Sequence, residues 1–184
     1  ESGWARTCKA LIEQLVETSE VVDDNTLVLL PHVSLQPIEV EKIKDFIEGF
    51  GFNVLAVPDL SSSLDGHLGE KQAALSSGGI SVDEIRSLGE AGLVISVGDS
   101  MQGCAAALQN KSPEMRHHHF VHLNGLVATD RLVEVLLEET GFTRPPIAVA
   151  RWRQRLQDAM LDSHFSLGQK RFLVAAEPDQ LAAI

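Results

Sequence analysis

The sequence predicts an α/β fold: a doubly wound parallel sheet of the Rossmann or flavodoxin-like kind, with the start of a second α/β domain after it. Three observations predict it. Short apolar runs and amphipathic helical stretches alternate along the chain. The runs Thr26–Leu30, Asn53–Val57 and Leu93–Val97 are apolar nearly throughout, as strands covered on both faces are. The 184 residues, 44% hydrophobic and 22% charged, suit one packed domain with a little left over.

Each element has its local reason. Helical periodicity runs from Trp4 to Val16, with Ala5, Cys8, Leu11, Ile12 and Leu15 in one stripe. Thr26–Leu30 is a strand ended by Pro31. Ile38–Phe50 is a helix, with Pro37 in its first turn, Glu39 and Glu41 at the positive end of its dipole, and Gly51 as its stop. Asn53–Val57 is a second strand, ended by Pro58, and a loop rich in Ser and Gly follows from Asp59 to Gly79. Ser81 and Glu84 form a capping box that opens a helix through Ala91, with Gly92 ending it. Leu93–Val97 is the third strand, Gly98-Asp99-Ser100 turns into a small-residue helix up to Asn110, and His118–Leu123 is the fourth strand. Thr129–Thr140 is helical, with Gly141 as its cap. After the Pro145-Pro146 break comes a long helix, Ile147–Phe165, then a final strand, Lys170–Ala176, and a helix that starts at Pro178.

These elements divide into a leading helix over 1–24, a central α/β domain over 25–145, and, over 146–184, a bridging helix with the first strand of a following, truncated α/β domain. A lone terminal strand and half a helix would leave apolar surface bare, so the chain reads as a segment of a longer polypeptide.

Fifteen Lys and Arg against 26 Asp and Glu give a formal charge of −11. That balance argues against nucleic acid or an anionic membrane surface as partner. No apolar run approaches the roughly 20 residues of a membrane span. Cys8 and Cys104 stand far apart and in no CxxC spacing, which excludes a disulfide framework and a Cys-rich zinc site. Both read as small buried hydrophobes in a reducing, cytoplasmic compartment.

Ligands of doubly wound sheets gather beyond the carboxyl ends of the strands. Three segments leave strands there: Pro31–Ser34, Pro58–His67 and Gly98–Gly103. The second gathers Asp59, Ser61, Asp65 and His67, the strand-edge candidates for binding a small ligand; the alternative is a loop whose Asp and Ser side chains bond their own backbone. No G-x-S-x-G elbow accompanies them, so hydrolysis by a Ser/His/Asp triad is not supported. In the third, Ser100 begins a helix whose amides could hold an anion, but neither a P-loop lysine nor the G-x-G-x-x-G fingerprint is present. Among the histidines of the run 117–122, His117 and His119 share one strand face and are the candidate metal pair, while His118 and His122 share the other; solvated imidazoles are the competing reading. Arg151 and Arg155 lie on one helical face, suited to carboxylates of a partner or a neighbouring domain. Asp158 and His164 complete the interface candidates on that helix. No residue is assigned a catalytic role.

Several stretches together carry a resemblance. Pro58–Leu68 resembles the "PDLSGSLDGHL" stretch of the N-subunit family of the nitrogenase cofactor-assembly scaffold (the NifN family), and Gly78-Gly79-Ile80-Ser81 with Glu84 resembles its "GG-S/T-x-x-E" helix start. Arg153–Phe165 is similar to its "RQRxQLQDAMLDxHF" helix, and Lys170–Asp179 to the strand after it. The chain departs from the pattern at Lys111–His119 and at Ser62, where glycine is commoner.

The resemblance implies a fold of the nitrogenase component 1 type and a place in the scaffold that assembles the iron–molybdenum cofactor. It implies an E subunit as partner in an α2β2-type heterotetramer, and dealings with the iron protein and a precursor-delivery protein. The parent complex is implied to hold a [4Fe–4S] cluster and an iron–molybdenum cofactor precursor. The family's cluster cysteine lies upstream of Glu1, so no cofactor is assigned to this segment, which is expected to contribute structure and interface rather than turnover. The rival readings are a β-type subunit of a nitrogenase or nitrogenase-like reductase, and an α/β module that binds a small ligand.

Overall fold

Leucine- and valine-rich runs too short for helices become strands where helices can cover both their faces. In the computed structural model, which describes residues 2–60 and 79–184, four such runs form one parallel sheet. They are β1 (Asp23–Pro31), β2 (Asn53–Ala56), β3 (Ala91–Val97) and β4 (Arg116–Phe120), in the order β2-β1-β3-β4. Period-two alternation splits each strand between two cores. Val28, Leu30 and Val94 join one core, packed under α1 (Ser2–Leu15), α3 (Val82–Ser87) and α4 (Gln102–Lys111). Leu27, Leu29, Leu93 and Ile95 join the other, under α2 (Pro37–Glu48) and α5 (Gly125–Thr140). Leu27, Leu29, Leu30, Leu93 and Ile95 are fully buried. Each such side chain contributes about 1.5–3 kcal/mol, so the β1–β3 pair anchors the sheet.

The long helix α6 (Ile147–Leu167) reaches the second core only through Val149. A short helix, α7 (Pro178–Ala182), ends the described chain. Among the described residues no helix is long and apolar enough to cross a membrane.

The larger departures from the sequence reading have tertiary reasons. The helix opened by Ser81 stops at Ser87; a 3-10 turn covers Leu88–Glu90, and Ala91 and Gly92 already belong to β3. Gly92 is a contact point, not a helix stop, because a Cβ there would lie 2.9 Å from Asp24 Cα. β4 runs from Arg116 to Phe120, two residues earlier than expected, and its ladder closes where the Gly98 N–H donates to the Phe120 carbonyl at 2.8 Å. α5 begins at Gly125, four residues before Thr129, whose hydroxyl donates back to the Gly125 carbonyl at 2.8 Å. Lys170–Ala176 forms no strand. Among the described residues no strand lies beside it, and an extended segment without a ladder partner is not part of a sheet.

Candidate functional site

The strand order decides where a crevice can open. The chain leaves β1 toward β2 on one side and returns to β3 on the other, so the loops after β1 and β3 diverge at the carboxyl edge of the sheet. A cleft of about 570 Å³ opens at that edge, between the loop after β1 with α2 on one side and the loop after β4 on the other. His32, Ser34, Gln36, Lys42, His122 and Asn124 line it from the sheet side, and Ala176, Gln180 and Ile184 from the end of the chain. Beside it, Asp179 is 3% exposed. Its carboxylate accepts from the Ser100 hydroxyl at 2.5 Å and from the Ser100 N–H at 3.4 Å. Gly98, at φ +93°, forms the floor: a Cβ would stand 2.7 Å from Asp179 Oδ2 and 2.8 Å from His32 Cβ. Ser100 is thus at the strand edge as its sequence position suggests, but its hydroxyl and N–H both serve a carboxylate of the same chain. Asp179 itself gave no local warning. An aspartate just after the Pro that starts a helix reads as an ordinary dipole partner.

The second loop is described only at its ends. Asp59 accepts from Lys44 Nζ at 2.6 Å, with 9% of its side chain exposed. Gly79 brings the far end of the loop back, since a Cβ there would lie 2.6 Å from the Asp59 carbonyl. Ser61, Asp65 and His67 lie outside the described residues.

The strand-face reading of the histidines is seen in β4, but the imidazoles are not left to solvent. Ser96, fully buried, contacts His117 Nε2 at 2.8 Å and His119 Nδ1 at 2.9 Å. His119 Nε2 stands 2.9 Å from Asp99 Oδ1, which also accepts from Gln102 at 3.0 Å. One assignment of protons satisfies the chain: His117 Nε2–H donates to Ser96, Ser96 O–H to His119 Nδ1, and His119 Nε2–H to Asp99. The bonds from His119 and then Gln102 hold the Asp99 carboxyl below its usual range. Burial, and then the nearby His119 and His118, push His117 below its ordinary value. On the opposite face His118 Nε2 lies 2.7 Å from Glu139, which also pairs with Arg116 at 3.0 Å. His122 lies past the end of β4 and accepts from the Asn124 N–H at 3.3 Å. Among the described residues no group of three or more His, Cys, Asp or Glu is placed to hold a metal ion. Ser96 and Glu139 were not anticipated. A lone serine in an apolar run and an acid in a surface helix each have ordinary local explanations.

Cys8 and Cys104 are both buried in the first core. Burial pushes the Cys8 thiol up to about 12 and the Cys104 thiol up to about 11. Cys104 spends its proton on the Ala5 carbonyl at 3.3 Å. An iron–sulfur cluster is held by thiolates, so these two cysteines do not fit one.

Along α6, Arg151, Arg155, Asp158 and His164 are all exposed. The Arg155 guanidinium lies 5.1 Å over the Trp152 ring. An ion pair back to the central unit is made by Arg153, whose Nε and Nη2 donate to Asp130 of α5 at 2.7 and 2.8 Å. That bidentate contact holds the Asp130 carboxyl low and the Arg153 guanidinium high. The sequence carried a signal for it: Arg153 is one turn after Val149, the residue of α6 that is buried. Phe46, Thr129, Val149, Trp152, Arg153 and Leu156 line a cleft of about 450 Å³ between α2, α5 and α6.

The family model for nitrogenase component 1 type oxidoreductases matches residues 1–184. Among curated proteins, the chain is similar to the nitrogenase iron-molybdenum cofactor biosynthesis protein NifN of Rhizobium meliloti, at 39% identity over 98% of this chain and 41% of that protein. It is likewise similar to the NifN of Mesorhizobium japonicum (38% identity, 98% of this chain, 39% of that protein) and of Rhodobacter capsulatus (31%, 100% and 40%). The chain therefore spans about two fifths of the length of these relatives. Among solved structures, a nitrogenase chain ("Nitrogenase Cp1 at pH 6.5") superposes with a TM-score of 0.88 at 23% identity, covering 97% of this chain and 38% of that one. At that identity the likeness speaks for the fold.

Proposed function

The chain belongs to the nitrogenase component 1 type oxidoreductase family, and from that premise we propose that it is the central part of an N-type subunit of the scaffold on which the iron–molybdenum cofactor is built. Its work is structural and associative. The similarity to NifN proteins over nearly all of the chain carries this reading. In it, 1–24 is a leading helix and 25–145 a central α/β domain, while 146–184 bridges to a following one. The natural partner is an E-type subunit in an α2β2-type assembly in the cytoplasm. The cofactor precursor is cargo of that complex. The [4Fe–4S] cluster, with the iron protein and precursor-delivery protein that act on the complex, engages residues other than Cys8 and Cys104.

The surface offered to a partner is the outer stripe of α6. At 3.6 residues per turn, Arg151, Arg155, Asp158, Asp162 and Phe165 fall on one side, opposite the Val149–Arg153–Leu156 side that faces the body. Leu161 is 68% and Phe165 88% exposed. Two arginines followed by carboxylates and apolar side chains suit a polar-rimmed interface with an apolar centre. His164 lies nearer the inward side, and its carbonyl caps the helix through the Gly168 N–H at 3.0 Å.

Co-expression of the parent polypeptide with an E-type subunit tests this. Arg151→Glu together with Arg155→Glu is expected to weaken association by about tenfold or more while the melting temperature stays within about 2 °C. Unchanged association would refute the α6 interface. Purification of the parent with a reductase partner and substrate-reducing activity would favour the β-type reductase subunit.

A further inference from the structure

We propose that the sheet edge beside this cleft carries a carboxylate socket, built by Gly98 and Ser100 after β3 and by His32 after β1, whose ligand is this chain's own Asp179, which latches the segment after α6 across the edge where folds of this kind bind small molecules. This is independent of the scaffold reading.

Asp179 lies 79 residues from Ser100 in sequence, yet it is the more buried partner, at 3% exposure. A surface aspartate at the start of a one-turn helix ordinarily stays in water. Here each carboxylate oxygen has its own donor on Ser100: the hydroxyl on Oδ2 at 2.5 Å and the N–H on Oδ1 at 3.4 Å. Two donors on one residue match the paired oxygens of a planar carboxylate. The floor is Gly98, whose positive φ and lack of a Cβ leave room for the carboxylate. His32, 6% exposed, walls the other side through its Cβ. Pro178 fixes the first turn of α7 and so aims the next side chain. Elsewhere in the segment Leu173 is fully exposed, Ile184 largely so and Leu181 about half. The Asp179–Ser100 pair thus ties α7 to the edge of the sheet.

Hydrogen exchange on the full chain tests this, with Asp179→Ala and Ser100→Ala as perturbations. The amides of Leu181, Ala183 and Ile184, which bond within α7 and just after it, are expected to exchange about tenfold faster or more in both variants, with β3 and α4 still protected. Acetate at about 50 mM is expected to restore protection to the Ser100 amide in Asp179→Ala by refilling the socket. Exchange of 181–184 equal to that of the parent would overturn the latch, as would a loss of protection spreading through β3 and α4. Failure of acetate to protect Ser100 in Asp179→Ala would overturn the carboxylate assignment. Should Asp179→Ala fail to fold, Ser100→Ala, which removes one hydroxyl from the rim, decides the latch alone.

Discussion

Replacing Ser96 by alanine should weaken the protein out of proportion to the single oxygen removed. Its hydroxyl is fully buried in β3 and contacts His117 at 2.8 Å and His119 at 2.9 Å. A net intramolecular hydrogen bond is worth about 0.5–1.5 kcal/mol, so losing both costs about 1–3 kcal/mol. For a chain of this size each kcal/mol moves the melting temperature by about 2–4 °C, giving an expected fall of roughly 2–12 °C. The pH dependence isolates the cause. His117 titrates below its ordinary 6.5 in the folded state because burial disfavours its charge. The unfolded chain therefore binds that proton more readily. The stability contributed by neutral His117 is whole above pH 6.5 and is lost as pH falls from there through the lower folded-state value. One proton gives a slope of at most about 1.4 kcal/mol per pH unit, and less here because the ring is only partly buried. Urea unfolding followed by circular dichroism between about pH 8 and about pH 5 measures both effects. His117→Phe keeps an aromatic ring at this place but removes the titrating group, and should flatten the acid limb. Ser96→Ala within about 0.3 kcal/mol of the parent, or equal acid slopes for the parent and His117→Phe, would refute the reasoning.

Three further outcomes are expected. Gly98→Ala forces a side chain into positive φ and against Asp179 and His32, so it should cost about 2–4 kcal/mol in urea unfolding; a loss under about 1 kcal/mol would contradict the tight floor. Cys8 and Cys104 should react with a thiol reagent at least about 100-fold more slowly in the folded protein than in urea, and iron with acid-labile sulfide bound stoichiometrically through either would contradict their place in the core. Arg153→Gln should loosen α6, read as faster exchange of its first turns, while leaving the global urea midpoint nearly unchanged, because the pair with Asp130 is partly exposed at 42% and 37%.

The sequence by itself determined what depends on short-range geometry. The alternation of apolar runs with helical stripes specified the layered sheet, because periods of two and 3.6 residues follow from backbone geometry alone. The same parity put His117 and His119 on one face and His118 on the other, as β4 shows. The helical stripe around Cys8 marked it as core. What only the tertiary structure decided are meetings of residues far apart in the chain. Gly92 reads locally as a helix stop, and it is the approach of β1 that makes it a strand residue. Lys170–Ala176 has strand composition, but a strand requires a neighbour for its N–H and C=O groups. Arg151 and Arg155 stand out in the sequence, whereas packing turned Arg153 toward Asp130. Asp179 meets Ser100 across 79 residues, and no local pattern records that closure, because the free energy that selects it lies in burial and pairing at the edge of a sheet that exists only once the chain has folded.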